Sequence, residues 1–405
     1  MGLAAVWAAV ACGSDDGGGS SGTGGASSGG ASSGGASSGG TSSGGASSGG
    51  VSGGGTSAGG AGAGGAGAGG TSSGGTSSGG TSAGGAGGST GGAGALDACG
   101  NAKGQLFPPG SIWNTPVDTA ALDSESNTVI NYLQQNHTAA AKFQIDFSIK
   151  VLTADASTPH KPFTQTSDFY SPDCDPAPPP VPAVGSIEGE TGYQCVSDGD
   201  CHLIVIDTAE CRLFEMWRTN ITSSAFQGGC QAVWDLKTVY PPSGRGEGCT
   251  SADAAGLPIA AHLFSADEVK AGAIEHAIRF ILPNSLMRKD IYVHPATHLG
   301  GPNGPAAAPP YGARMRMKAS VDISGLKPAA QVVAKALKKY GMILSDGGNL
   351  TFTGMADDYT AAKWSQVGLT AQDLKPMKWT DFEMVDGGQR FNWQNADCKH
   401  VPITK

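Results

Sequence analysis

The residues of this 405-residue chain best able to do chemistry are scattered carboxylates, histidines and basic groups. In the run 212–218, a two-residue alternation puts Leu213, Glu215 and Trp217 on one face of an expected strand. A carboxylate beside an indole suits a sugar. The ring stacks on the pyranose, and apolar surroundings lift the carboxyl towards a useful acid. The plainer reading is an edge glutamate in water beside a packed tryptophan. Glycoside hydrolysis needs a second carboxylate roughly 5 to 10 Å away. Asp200 or Asp346 could supply it, in the polar runs Asp200-Cys201-His202 and Ser345-Asp346-Gly347-Gly348 at strand ends.

A second chemistry rests on basic groups. Arg314, Arg316 and Lys318 alternate with Met315, Met317 and Ala319, so one face of that run is cationic. Such a face is either solvated or a groove in which arginines clamp the carboxylates of an acidic polysaccharide. A polysaccharide lyase would use it to neutralise a uronate, with His276 or His294 as base. His276 sits in an apolar row with Ile274, Ile278 and Phe280, which is also the setting of a structural core histidine. His294 and His298 have a His-x3-His spacing, but Pro295 argues against the helix that would align them. Metal binding there would need a third ligand such as His276, His202 or Asp346, so no metal or other cofactor is expected. Beyond residue 95 the chain has no GxSxG elbow, phosphate-binding loop, GxGxxG after a strand, or EF-hand loop. Serine-hydrolase, nucleotide and dinucleotide chemistry are therefore disfavoured.

The elements that must position these groups are mostly strands. Alternation or apolar runs mark strands over 143–154, 202–207, 212–218, 231–239, 274–282, 291–294, 313–323 and 342–345. Residues 208–211 read as a hairpin turn, and 172–182 as a proline-rich loop. A helix is expected near 124–135. Another is expected over 328–340, where Pro328 starts it, Val332, Val333, Ala336 and Leu337 line one face, and Gly341 stops it. Many strands with two or three helices predict a mainly β fold, a jelly-roll-like sandwich decorated with helices, with α+β as the alternative.

Eight of the nine cysteines lie beyond residue 95: Cys99, Cys174, Cys195, Cys201, Cys211, Cys230, Cys249 and Cys398. Their even number and the lack of a CxxC pair predict up to four disulfides over a zinc finger. Cys99 and Cys398, near the two ends, could close the domain on itself.

The ninth, Cys12, ends the apolar run 1–12. Its Ala-Val-Ala-Cys close resembles the lipobox of bacterial lipoproteins, although no basic residue precedes it. Residues 13–95 are nearly all Gly, Ser, Ala and Thr, with a five-residue repeat and only Asp15 and Asp16 charged. Such a stretch cannot bury enough apolar surface to fold. As a flexible tether of about 83 residues it spans on the order of 50 Å. The chain thus reads as a signal peptide with a lipidated Cys12, a tether, and one disulfide-bearing domain over 96–405. The lipobox followed by this repeat looks like surface lipoproteins of myxobacteria, which implies an extracellular, lipid-anchored address at the outer membrane or cell surface.

Within the domain, runs such as GCTSADAAGLP, YVHPATH, RMRMKASVDISG and ALKKYGMILSDGG resemble a family of exported bacterial proteins. The resemblance implies a coherent single domain. It brings no activity and no catalytic residues. The formal net charge of −9 argues against a nucleic-acid partner and against adhesion to an anionic membrane surface except through the lipid. A monomer acting on a polysaccharide too large to import is expected, either degrading it or, in the alternative, only binding it as an adhesion lipoprotein.

Overall fold

Strand formation is strongest where the sequence is apolar on both faces. In β4 (Leu203–Asp207) all five residues are buried, and its antiparallel partner β5 (Arg212–Met216) is buried at all but its first. Such a strand needs cover on two sides. One face, with Ile204, Ile206, Leu213 and Trp234, packs on Ile259, Ala260 and Leu263. The other, with Leu203, Val205 and Met216, packs on Val181 and Ile187. β2 (Val151–Ala154) joins β4 in parallel and β8 (Gln231–Asp235) joins β5, giving the order β2-β4-β5-β8.

The computed structural model describes residues 99, 101, 104–139, 142–197, 199–349 and 351–405. Cys12, the signal segment 1–12 and the repeat 13–95 lie outside the described residues. Among those described, no helix is long and apolar enough to cross a membrane.

The second large sheet has six strands. They are, in order, β1 (Ile145–Asp146), β13 (Phe352–Thr353), β9 (Ile278–Leu282), β12 (Met342–Gly347), β11 (Arg314–Met317) and β14 (Phe382–Met384). β9 and β12 run parallel, as do β1 and β13; the other pairs are antiparallel. Two small sheets, β3 (Thr164–Gln165) with β7 (Phe226–Gly228) and β6 (Asn220–Ile221), and β10 (Ile291–Val293) with β15 (Arg390–Asn392), complete the set.

Four α-helices occur among the described residues: α1 (Ser126–Asn136), α2 (Ala266–Ala271), α3 (Pro328–Lys339) and α4 (Trp364–Val367). α3 follows its sequence signals: proline in the first turn, buried Ala330, Val333, Ala334 and Leu337, and lysines at its end. Gly341 then takes a φ of 71°, and a β-carbon there would meet the Met315 carbonyl at 2.5 Å. The fold is therefore strand-rich with few helices and several mixed sheets, as expected for a mainly β or α+β protein. Its parallel pairs are a feature that an antiparallel jelly roll lacks.

Several expected strands are shorter in the structure, 231–239 among them, which keeps its ladder only over β8. The run 143–154 breaks into β1 and β2 because the chain crosses between them from one large sheet to the other, and Phe143, at a φ of 56°, stays outside β1. The run 313–323 keeps its ladder only over β11, and the run 274–282 only over β9. The eight cysteines form four disulfides: Cys99–Cys211, Cys174–Cys230, Cys195–Cys201 and Cys249–Cys398. The suggested Cys99–Cys398 closure is thus corrected. Cys99 is staked to the β4–β5 turn, and Cys398 brings the C-terminal tail to the start of the segment 249–263.

That segment is the hinge of the architecture. Its small residues let the backbone pass between two cores: Ala254, Ala255 and Leu257 join the core of the six-stranded sheet, while Ala252, Ile259 and Leu263 join that of the four-stranded sheet. Gly256, at a φ of 73°, has no room for a β-carbon against Thr297 and the Cys249 carbonyl.

Candidate active site

Polar side chains converge where this segment meets both sheets. Arg279 is the only charged residue in β9, and it lies on the face opposite Ile278, Phe280 and Leu282, which point into the core. Its Nη2 donates to Asp253 Oδ1 and to Asp346 Oδ2, each at 2.9 Å, and its Nη1 donates to Thr353 Oγ1 at 3.0 Å.

Asp346 reaches this face through an irregularity. β12 pairs Leu344 with Phe280, then skips Ser345 and pairs Asp346 with Ile281. In regular pairing Asp346 would share the side of Met342 and Leu344, inside the apolar core. The bulge turns it onto the side of Arg279. Ser345 takes up the extra residue, its hydroxyl donating to the Ile343 carbonyl. Asp253 comes from the segment 249–263, where Ser251 Oγ accepts its N–H at 3.0 Å and donates to the Leu257 carbonyl at 2.7 Å.

Both carboxyls are buried, Asp253 completely and Asp346 at 4% exposure. Burial raises both above the ordinary carboxylate range. The Asp253 charge pushes Asp346 further, while Arg279 opposes the rise. Arg279 itself is held in its charged form by the two aspartates against its own burial. Two carboxyls on one guanidinium nitrogen therefore titrate as a pair, with burial favouring a proton on Asp346 more strongly than on Asp253.

Around this pair lies a wider set. Glu215 is fully buried on β5, and its two oxygens accept the N–H groups of Ile259 and Ala260 at 3.0 and 2.8 Å. Burial pushes its carboxyl up to about 7. His202 Nδ1 meets Glu188 Oε2 at 2.6 Å and its Nε2 meets the Ala252 carbonyl at 3.0 Å. Both partners accept, so the ring is an imidazolium. Against burial, Glu188 lifts His202 to about 9, and His202 in turn brings Glu188 down to about 2. Ser148 bridges Glu188 and Asp146 through its hydroxyl. Asp146, Ser148, Glu188, Asp200 and Gly347 are the half-buried residues around this set.

The sequence-derived candidates divide accordingly. Glu215, Asp200 and Asp346 belong to one electrostatic cluster, since Asp200 acts on Asp346 and His202, and Asp253 acts on both Asp346 and Glu215. The shared face of Leu213, Glu215 and Trp217 is present, but it is packed, not wet. Trp217 is 3% exposed, and its Nε1 donates to Asp200 Oδ1 at 2.9 Å, so its ring is not free to stack on a sugar.

His276 lies before β9, not in it. Its Nδ1 donates to the Ala277 carbonyl and its Nε2 to Glu268, the residue that also caps α2 with Ser265. Burial works against charging His276, and Glu268 overcomes it. His294 pairs with Glu247 at 2.6 Å and packs on Phe391, whereas His298 bonds the Ala254 carbonyl and packs on Trp393. No third ligand of the expected kind joins them among the described residues.

The cationic face is not a groove. Arg314 is buried and donates to the carbonyls of Tyr340, Ile112 and Thr115. Arg316 bonds Glu383 at 2.7 Å and the Ala120 carbonyl at 2.8 Å, and Lys318 bonds the Thr380 carbonyl at 2.8 Å. These donors hold loops onto the sheet edge.

Sequence reasoning missed Arg279, Asp253, Glu188 and Asp146. For Arg279 a signal existed: a lone arginine in an otherwise apolar, fully buried strand must have an acidic or carbonyl partner. No protein-family model, curated protein or solved structure matches the chain, so the reading of this site rests on its geometry.

Proposed function

We propose that the protein is an extracellular, carbohydrate-active enzyme that hydrolyses a polysaccharide by acid–base chemistry, held at the cell surface through Cys12. One observation carries this reading: Asp253 and Asp346 meet on a single nitrogen of Arg279, with burial lifting both. A carboxyl that keeps its proton beside one that gives it up is the division of labour glycosidic cleavage requires. Asp346 is the acid that protonates the leaving oxygen. Asp253, ionised beside Arg279, is the nucleophile. Two carboxyls on one nitrogen lie too close to hold a water between them, so Asp253 bonds the anomeric carbon as the leaving oxygen departs. Asp346 then takes the proton of the water that frees the sugar.

The lyase branch is the weaker of the two. It needs free cationic groups to neutralise a uronate, and Arg314, Arg316 and Lys318 are already committed to carbonyls and to Glu383. The test is product formation by the full-length chain on a panel of neutral and acidic polysaccharides. New reducing ends should appear on at least one, without unsaturated products, and D346N should lower the rate by about a hundredfold or more. Binding without product in the wild type would replace this reading with that of a glycan-binding or adhesion lipoprotein. An undiminished rate in D346N would remove the acid from its role.

A further inference from the structure

The tip of the β4–β5 hairpin carries a second cluster that the proposed hydrolysis does not use. Asp207 ends β4 and is 1% exposed. Its Oδ1 accepts the N–H groups of Ala209 and Glu210 at 2.9 and 3.1 Å, which shapes the turn and fixes Glu210 beside it. Cys211, the next residue, is tied to Cys99, so the turn is pinned from both sides. The other oxygen, Oδ2, lies 3.3 Å from His160 Nε2.

The proton on His160 can be placed by elimination. Nδ1 lies 2.9 Å from the Pro178 carbonyl, which can only accept, so Nδ1 donates. In the neutral ring Nε2 is then a bare lone pair facing a carboxylate oxygen. Two acceptors at that separation call for a cation between them. A proton alone gives shorter contacts elsewhere in this molecule: 2.6 Å for His202–Glu188, 2.6 Å for His294–Glu247, 2.7 Å for His400–Asp175 and 3.0 Å for His276–Glu268. The 3.3 Å at His160 is longer than all four. It is instead about the edge of a tetrahedron whose corners lie ~2.0–2.1 Å from a central zinc ion. Glu210 completes a set of three whose ligand atoms all lie within 4.8 Å of one another.

We infer that His160, Asp207 and Glu210 form a binding site for a first-row divalent cation of the zinc class. The outer contacts suit that role. A backbone carbonyl on the far ring nitrogen orients a metal-binding imidazole. Arg212, 3.3 Å from Glu210 Oε2 and bonded to the Lys405 carbonyl, holds the glutamate from behind. His160 and Glu210 are exposed, so an ion can enter and keep water on its open positions. The site escapes sequence reasoning because His160 comes from a distant loop and no motif spacing links it to the hairpin.

The probe is Zn2+ alone, titrated calorimetrically into the chelator-treated, full-length chain. One ion should bind per chain, and H160A and E210Q should each weaken it by about tenfold or more. E210Q should not alter melting in the absence of metal, because its side chain is exposed and Asp207 Oδ1 still braces the turn. H160A also loses the bond to the Pro178 carbonyl and the contact with Phe214, so its melting without metal is measured beside its affinity. Asp207 is left intact because it braces the turn. Failure to bind Zn2+, or binding that either variant leaves unchanged, overturns the inference. Neither result bears on the carboxyl pair, whose readout is product formation.

Discussion

Arg279 and Arg314 lie on the same six-stranded sheet, both buried, yet they meet opposite surroundings. Arg314 is surrounded by backbone carbonyls, which satisfy its N–H groups but carry no net charge, and burial pulls it down to about 10. Arg279 faces two carboxyls and is held firmly charged. One arginine is therefore a rivet joining residues 112–115 and Tyr340 to the sheet edge. The other sets the charge balance of two buried carboxyls that titrate together. Hydrogen-bond satisfaction and charge neutralisation are separate tasks, and only the second produces acid–base chemistry.

The comparison can be broken most severely at Arg279. R279M strands two buried carboxyls and should cost about 3–5 kcal/mol in denaturant unfolding. R314M leaves carbonyls short of donors but also removes a buried charge, and should cost less, about 2–3 kcal/mol. The sharper distinction is in pH. Without Arg279, the pair's folded pKa values rise further still, so the R279M deficit should grow as pH climbs above the range in which the wild-type pair, itself raised by burial, gives up its protons. The R314M deficit should stay flat over the same range. Equal pH dependence in the two variants would erase the contrast.

The next effect is on the wild type. Glu215 is raised to about 7, so its contribution to stability falls as pH rises from the ordinary glutamate range through 7. His202 is raised to about 9, so its contribution is whole below about 6.5 and is lost as pH rises through 9. Melting temperature should thus decline steadily from mildly acidic to alkaline pH. E215Q should remove the early part of that decline and keep the late part. The smallest effect should be that of E215Q itself at pH 7, about 1–2 kcal/mol, since the amide oxygen still accepts one of the two N–H bonds while the amide nitrogen leaves the other without an acceptor.

Much of the scaffold was legible from sequence. The α3 signals and the face shared by Leu213, Glu215 and Trp217 are local, and local rules place them. The strand-rich class follows from the same periodicities. The site itself was only partly legible. Asp346 and Glu215 stood out as acids at strands, but Asp346 reaches Arg279, the partner that gives it its chemistry, through a bulge at Ser345, which periodicity alone does not announce. Asp253 lies in a stretch of small residues with no repeating pattern. Arg314 and Arg316 misled for the opposite reason: their alternation is real, but the carbonyls that occupy them come from loops far away in sequence. Charge on one strand face says that partners exist, not whether they are substrate or backbone.

The most direct test of the carboxyl pair is infrared titration of the carboxyl C=O stretch in the wild type and D346N. A protonated carboxyl that persists at neutral pH in the wild type and is missing from D346N is the expected result. Identical protonated-carboxyl bands in the two proteins, or full ionisation of Asp253 and Asp346 in the ordinary acid range, would contradict it.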